Sequence, residues 1–355
     1  CLPDSYDPDT ADNQIIATAL AAVRIEEKNK QKFQRKISRK VILVSRDINM
    51  RIKSDAIGLE SQDFSAGHVV SDSGSLYTGF AKYLIDDQLI DQFYTGEDII
   101  IEKEKNIFFP NQFMMLVSSS NDKKTALARF VDFDTPLARI EARSSWGLRP
   151  RNKEQNFAIN LLKDDLIPVN TLVGKAGTGK TLCALAAGLE QVLEEEKYKY
   201  LIVSRPIQPM GKDIGFLPGS MEEKMMPWLA PIKDNLKYLM GNDKEALKMY
   251  IDRGIIEIEA LTYIRGRSIS DAFIIIDESQ NLSTHELKTI ITRVGENTKI
   301  VLTGDVEQID NVYLDETSNG LVYAVEKFKS HKLAGHITLI KGERSKVATL
   351  ASRIL

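Results

Sequence analysis

The chain has 355 residues, 43% hydrophobic and 27% charged, which suits a globular protein of roughly two or three domains and argues against global disorder or a fibrous repeat. With 47 Lys and Arg against 50 Asp and Glu, the net charge of −3 announces no polyanionic partner, so contact with nucleic acid would need a local basic surface. Two cysteines, Cys1 and Cys183, without any CxxC spacing argue against a disulfide scaffold or a zinc knuckle and point to a reducing, cytoplasmic compartment.

No apolar stretch is long enough for a bilayer; the most continuous helical one, residues 182–189, is far too short. The acidic, polar residues 1–9 make no signal peptide, and a first residue that is not Met reads as a fragment cut inside its first domain.

In chain order, Ile15, Ile16, Ala19, Leu20 and Val23 share one face of a predicted helix over 12–23. Residues 24–40 are strongly basic and read as a solvated helix end or surface insertion, or else as a contact for a phosphate backbone. Val41-Ile-Leu-Val44 reads as a buried strand ending at Ser45-Arg46-Asp47, before a helix pattern over 49–59. From 64 to 145, short strand-like runs at 98–101, 113–117 and 126–131 alternate with turn-rich stretches, the texture of a β-rich connector. From Trp146 onward, apolar strand candidates at 169–173, 200–203, 255–259, 273–276 and 299–302 alternate with helical stretches, the signature of a parallel α/β sheet covered on both faces. The segment 205–231 holds five of the chain's eleven prolines and is expected to be a stiffened loop at a strand end.

The chemistry concentrates in that last region. Gly174-Lys175-Ala176-Gly177-Thr178-Gly179-Lys180-Thr181 fits GxxxxGK[ST], follows a predicted strand and opens a predicted helix over 181–193. Its inward amides and the helix N-terminus suit phosphate oxygens; Lys180 would reach the terminal phosphates and the Thr181 hydroxyl a magnesium ion. Phe273-Ile-Ile-Ile276 delivers Asp277 and Glu278 to the carboxyl edge of the sheet. Asp277 would hold the magnesium and Glu278 would orient or deprotonate the attacking water; the plainer alternative is a strand followed by a helix cap. After the strand at 299–302, Gln308 is placed to sense the γ-phosphate, against the alternative of a capped turn at Thr303-Gly304-Asp305. Gln155, upstream of the loop, offers a donor and an acceptor that suit an adenine edge, although a surface Gln is the commoner case. No Asn/Thr-Lys-x-Asp guanine reader is present, no acceptor pocket or lid of a small-molecule kinase can be placed, and His285-Glu286 lacks the second His of HExxH because position 289 is Thr.

These strings, with Arg205-Pro206-Ile-Gln-Pro-Met-Gly211, Gly215-Phe-Leu-Pro-Gly219, Glu223-Lys-Met-Met-Pro-Trp228, Arg265-Gly-Arg-Ser268, Asp277-Glu-Ser-Gln-Asn281 and Thr303-Gly-Asp-Val-Glu-Gln308, resemble the PhoH family of ATPases over about 146–355. PhoH ATPases in turn resemble the first motor domain of superfamily one helicases, including an adenine-side Gln, which strengthens the reading of Gln155. Residues 1–63 resemble the second half of a PIN ribonuclease domain, Asp12 and Asp47 matching its third and fourth acidic positions around Mg²⁺ or Mn²⁺; the first two acids would lie before Cys1, leaving a partial metal site. Apart from the resemblance, Asp12 reads as a helix N-cap and Asp47 as a strand-end turn residue.

The expected architecture is therefore a PIN-like part (1–63), a β-rich connector (64–145) and a RecA-like P-loop ATPase of α/β class (146–355). The resemblance implies ATP hydrolysis that remodels or unwinds RNA, expected single-stranded, coupled in the intact protein to endoribonuclease cleavage. The alternative is a nucleotide-dependent assembly switch without motor activity. Arg344, with Arg265 and Arg267 behind it, is the candidate for the transition-state cation; each could equally bind RNA phosphates or sit in a surface ion pair. A single RecA-like core implies that the cation comes from a neighbouring subunit in a ring, a hexamer by analogy with the family.

Overall fold

The computed structural model describes the chain outside residues 1–2, 4–5, 8, 33–39, 46, 63–68, 71–72, 104–106, 207–220, 265–267, 312 and 343–355, and outside the side chains of 30–32, 221–226 and 262–263. It divides into two units, residues 1–68 and 69–355.

In the first unit, helix α1 (Ala11–Lys32), strand β1 (Leu43–Val44), helix α2 (Ile48–Ala56) and strand β2 (Ser61–Gln62) enclose a small core of Ile16, Leu43, Met50 and Leu59. β1 and β2 pair in parallel. The expected helix at 12–23 runs on into the basic stretch, where Arg24 and Lys28 are exposed, as a solvated helix end requires.

The second unit opens with β3 (Phe80–Ile85), α3 (Asp87–Thr95), β4 (Gln112–Ser118), β5 (Thr125–Phe130) and β6 (Ala138–Arg139). The strands form a four-stranded sheet in the order β3-β4-β5-β6, with only the first pair parallel. Period-two burial in β5 turns Ala126, Ala128 and Phe130 onto Ile90 and Phe93 of α3. The strand expected at 98–101 does not form. Ile99 and Ile101 are buried, which reproduces the alternation of a strand, yet the segment joins no ladder and Ile99 O accepts a single bond from Leu137 N at 2.8 Å.

The larger sheet contains β7 (Val169–Gly174), β8 (Tyr200–Arg205), β9 (Ile256–Ala260), β10 (Ala272–Ile276), β11 (Lys299–Gly304) and β12 (Ala334–Leu339). All six strands are parallel, in the order β12-β7-β11-β10-β8-β9. Successive residues alternate between two cores. Phe273, Ile275 and Val301 face α4 (Lys153–Leu162), α5 (Lys180–Leu189), α6 (Met221–Leu239) and α7 (Lys244–Asp252); Ile274, Ile276, Ile300 and Leu302 join the core that holds α8 (Leu261–Ile264), α9 (Thr284–Ile291) and α10 (Gly320–Phe328). Burial on both faces explains why these strands read as continuous apolar runs. The small sheet is fastened to the larger layer by Phe113 of β4 stacked on Phe157 of α4 at 4.3 Å between centroids, and by Asn111 Nδ2 donating to Lys332 O at 2.9 Å and, at the start of β12, to Ala334 O at 2.8 Å. Each buried Phe contributes roughly 1.5–3 kcal/mol from area removed from water.

The proline-rich segment corrects an expectation. A loop is expected over 205–231, yet α6 starts at Met221 and carries Pro227 and Pro231 inside it. Both prolines are exposed, while Leu229, Ile232 and Leu236 bury the opposite face. A proline strips the hydrogen bond from the carbonyl four residues back, and on the solvent side water can replace it. Spaced four apart, the two prolines keep to that side, so the apolar face still docks.

Candidate functional site

β7 ends at Gly174, and the phosphate-loop sequence joins it to α5. The loop leaves the sheet so close to β12 that a Cβ at Gly174 (φ +156°) would lie 2.3 Å from Leu339 O. Gly179 (φ +94°) caps α5 in the left-handed region, and a Cβ there would lie 2.8 Å from Gln155 Nε2. Between them, Thr178 Oγ1 donates to Lys175 O at 2.9 Å and closes the turn. Lys180 folds back over its own loop, Nζ donating to Gly174 O at 2.5 Å and Lys175 O at 3.1 Å. The Ala176 amide donates to Asp305 Oδ2 at 2.9 Å, so a carboxylate already engages one of the loop amides.

Strand register sets the opposite wall. Ile276 pairs with both Leu302 and Ser204, and Gly304 pairs with Val173, which brings the carboxyl ends of β7, β8, β10 and β11 to one edge. There Asp277, 6% exposed, accepts at a single oxygen, Oδ1, from Thr181 Oγ1 at 2.8 Å and Thr303 Oγ1 at 2.5 Å. Glu278 holds left-handed backbone angles (φ 53°, ψ 38°), a conformation that costs an L-residue roughly 1–2 kcal/mol. Its carboxylate is held at both ends: Arg205 Nη2 lies 3.3 Å from Oε1, and Gln280 Nε2 donates to Oε2 at 2.6 Å. Gln280 is fully buried, and the same Nε2 donates to Gln308 O at 2.8 Å while its Oε1 accepts from Asp305 N at 3.2 Å.

The loop and this wall enclose a cavity of about 370 Å³. Gln155, Ala176, Gly177, Gly179, Lys180, Thr181, Asp277, Glu278 and Gln308 of the expected set line it, so the fold brings those residues together. Gln155 is buried and its amide is engaged at both ends: Nε2 donates to Thr178 O at 3.0 Å and Oε1 accepts from Arg151 N at 2.8 Å. Gln308 is exposed, and its backbone N–H donates to Asp305 O at 3.0 Å. Cys183 also borders the cavity, but burial pushes its thiol up to about 12, which keeps it protonated and unreactive. Arg344, Arg265 and Arg267 lie outside the described residues.

In the first unit, Asp47 is the N-cap of α2, accepting from Asn49 N at 2.7 Å and Met50 N at 3.2 Å. Asp12 lies in the first turn of α1, one residue inside the helix rather than at the cap. Among the described residues no group of three or more His, Cys, Asp or Glu could hold a metal ion, and Glu286 is spent on a capping box with Ser283. Gln280, Thr303 and Asp305 are the site residues that motif reasoning did not single out. Each sits inside a string that did signal the site, but spacing shows no side-chain bridge between loops.

A model of the PhoH-like protein family matches residues 147–353. The chain belongs to the PhoH family. A PIN-domain model matches residues 2–65, ahead of the PhoH part. The chain is 48% identical to Protein PhoH2 of Bacillus subtilis (strain 168) over 351 residues, covering 98% of this chain and 78% of the relative. It is 35% identical to Protein PhoH2 of Mycolicibacterium smegmatis over 356 residues, covering 100% of this chain and 76% of that relative. Among solved structures, the Pif1 helicase from Candida albicans aligns over 57% of this chain and 43% of its own at 17% identity with a TM-score of 0.31, too low to bear on fold or function. The PhoH part is thus an α/β P-loop domain of NTPase type, and among the described residues no helix is long and apolar enough to cross a membrane.

Proposed function

We propose that this PhoH-family chain binds ATP with Mg²⁺ and hydrolyses it to move on or remodel single-stranded RNA, coupled in the intact protein to PIN endoribonuclease cleavage. The observation that carries the ATPase reading is the 2.8 Å hydrogen bond between Thr181 at the start of α5 and Asp277 at the end of β10, beside an open cavity. A hydroxyl and a buried carboxylate are hard oxygen donors, the set that suits Mg²⁺ completed by phosphates and water. Thr181 and Asp277 would hold the ion, and when bound it supplies charge neutralisation for the phosphates.

The chain's own residues do the rest. Lys180 exchanges the carbonyls of Gly174 and Lys175 for the β- and γ-phosphate oxygens. Asp305 gives up the Ala176 amide, which turns to phosphate. Glu278 takes the proton of the attacking water, and its place on the cavity wall favours hydrolysis over a purely assembling switch. Gln308 senses the γ-phosphate from the same wall; Gln155, expected at an adenine edge, has its amide engaged at Thr178 and Arg151 and serves the nucleotide instead by holding the loop.

The RNA and nuclease half of the reading rests on the resemblance to fused PIN–PhoH proteins. It assigns Asp12 and Asp47 to a partial Mg²⁺ or Mn²⁺ site, and residues 1–63, 64–145 and 146–355 to PIN-like, connector and ATPase parts of a cytoplasmic, ring-forming protein. The test is phosphate release from ATP by the full chain, with and without single-stranded RNA. Release that needs Mg²⁺ and rises with RNA supports the reading; no ATP-dependent release under either condition overturns it.

A further inference from the structure

The cavity extends beyond the phosphate loop. It is also lined by Asn235 and Tyr238, near the end of α6, and by Leu148, Arg149 and Arg151 before α4. The two parts of this lining are fastened together, because Trp146 Nε1 donates to Leu239 O at 3.0 Å. Nothing in the phosphate chemistry uses them.

Tyr238 is 59% exposed, and among the described residues its ring has no aromatic or cationic neighbour. A tyrosine left open on the wall of a cavity is a large flat apolar surface that water solvates poorly. Asn235, one turn earlier on the same helix, is half-buried, and its amide makes no hydrogen bond among the described residues. Positions three apart on a helix present their side chains on one face. Gln155, the other amide on the cavity, is already engaged at Thr178 and Arg151.

Resting on the nucleotide reading above, we propose that Tyr238 and Asn235 form the base-binding subsite of the cavity: the Tyr238 ring stacks on the nucleobase and the Asn235 amide reads its edge. The base takes this part of the cavity because the phosphates take the loop. The subsite suits purines, since a purine presents the larger stacking face. A carboxamide can also rotate to pair a donor and an acceptor with an adenine edge.

The test is calorimetric titration of the full chain and its variants with Mg·ATP, Mg·CTP and base-free inorganic tripolyphosphate. The parent is expected to bind ATP more tightly than CTP or tripolyphosphate. Tyr238→Ala should weaken ATP roughly 5- to 150-fold, the worth of one base–aromatic stack, and leave tripolyphosphate affinity unchanged. Tyr238→Phe should retain ATP affinity. Asn235→Leu should narrow the gap between ATP and CTP. The inference is overturned if Tyr238→Ala binds ATP as the parent does, or loses tripolyphosphate in the same proportion. An unchanged preference for ATP in Asn235→Leu removes the edge-reading role. A parent that binds tripolyphosphate as well as ATP overturns this inference and leaves the phosphate site standing; a parent that binds neither overturns both readings.

Discussion

Arg205 and Glu278 face each other across the adjacent strands β8 and β10, the guanidinium 3.3 Å from the carboxylate. The pair joins the start of the segment that leads into 207–220 to the residue proposed to act on water. It also accounts for how Glu278 keeps a left-handed backbone, since Arg205 and Gln280 fix its side chain from two directions. Glu278→Gln keeps shape and hydrogen bonding but loses the proton acceptor, so nucleotide affinity should hold while turnover falls roughly 10²–10⁴-fold. Equal turnover by the Gln variant and the parent would remove the role given to Glu278. Arg205→Ala releases one anchor only, and kcat should fall up to about 10-fold with KM for ATP unchanged.

Lys180→Ala should abolish ATP turnover and greatly weaken nucleotide binding, because it removes a point charge from the β- and γ-phosphates. The folded chain should tolerate the loss. The two carbonyls that Lys180 holds belong to its own loop, at Gly174 and Lys175, and the cavity beside them admits water. Equilibrium binding of ATP, together with a thermal melt showing an unchanged Tm, checks both statements. A variant that binds ATP normally would refute the assignment.

The phosphate loop was legible because its chemistry needs glycine at set intervals, and the structure shows the reason at Gly174 and Gly179, where any side chain would strike Leu339 O or Gln155. The run at 273–276 was legible because both faces of β10 are buried, leaving no polar residue before Asp277. Helix α6 was not, because a proline count cannot show that Pro227 and Pro231 share a solvent-facing side. Residues 98–101 misled for the opposite reason: alternating burial reports which side chains point inward, not whether the backbone finds a ladder. Gln280 was hidden altogether. Its amide spans three partners as far as 28 residues away, at Glu278, Asp305 and Gln308, and a glutamine in a string carries no mark of that reach.

His336 supplies a pH dependence. It is buried on β12, Nδ1 lying 2.7 Å from Thr171 Oγ1 and Nε2 3.0 Å from Thr338 Oγ1, and burial pushes its pKa down from 6.5 to about 3. With the folded value below the unfolded one, protonation favours the unfolded chain. Stability is therefore full above pH 6.5 and drains away as pH falls from there toward 3. Linkage puts the loss from this group between neutral pH and pH 5 at about 2 kcal/mol. Thermal melts of the parent and His336→Gln across that range check it: the variant should start less stable and lose less on acidification. Parallel losses in the two proteins would mean that His336 does not titrate on unfolding.

The last expectation concerns assembly. The second unit holds a single six-stranded parallel sheet, and its cavity is open beside Glu278 and Gln308. Charge builds on the γ-phosphoryl oxygens during hydrolysis, and a cation delivered there is worth a rate factor of roughly 10³–10⁵. Arg205 is committed to Glu278, while Arg149 and Arg151 belong to the wall before α4. A cation from a neighbouring subunit is the economical source, and a head-to-tail contact that closes on itself makes a ring, proposed here as a hexamer. Arg344 is the first candidate, with Arg265 and Arg267 next. Inactive Arg344→Ala subunits mixed with inactive Lys180→Ala subunits should regain part of the turnover, because some interfaces then pair an intact loop with an intact arginine. If arginine and loop act within one subunit, each mixed particle carries one defect per chain and activity stays absent. Light scattering at assay concentration decides the ring itself: a monomer with full ATPase activity would refute both the ring and the arginine in trans.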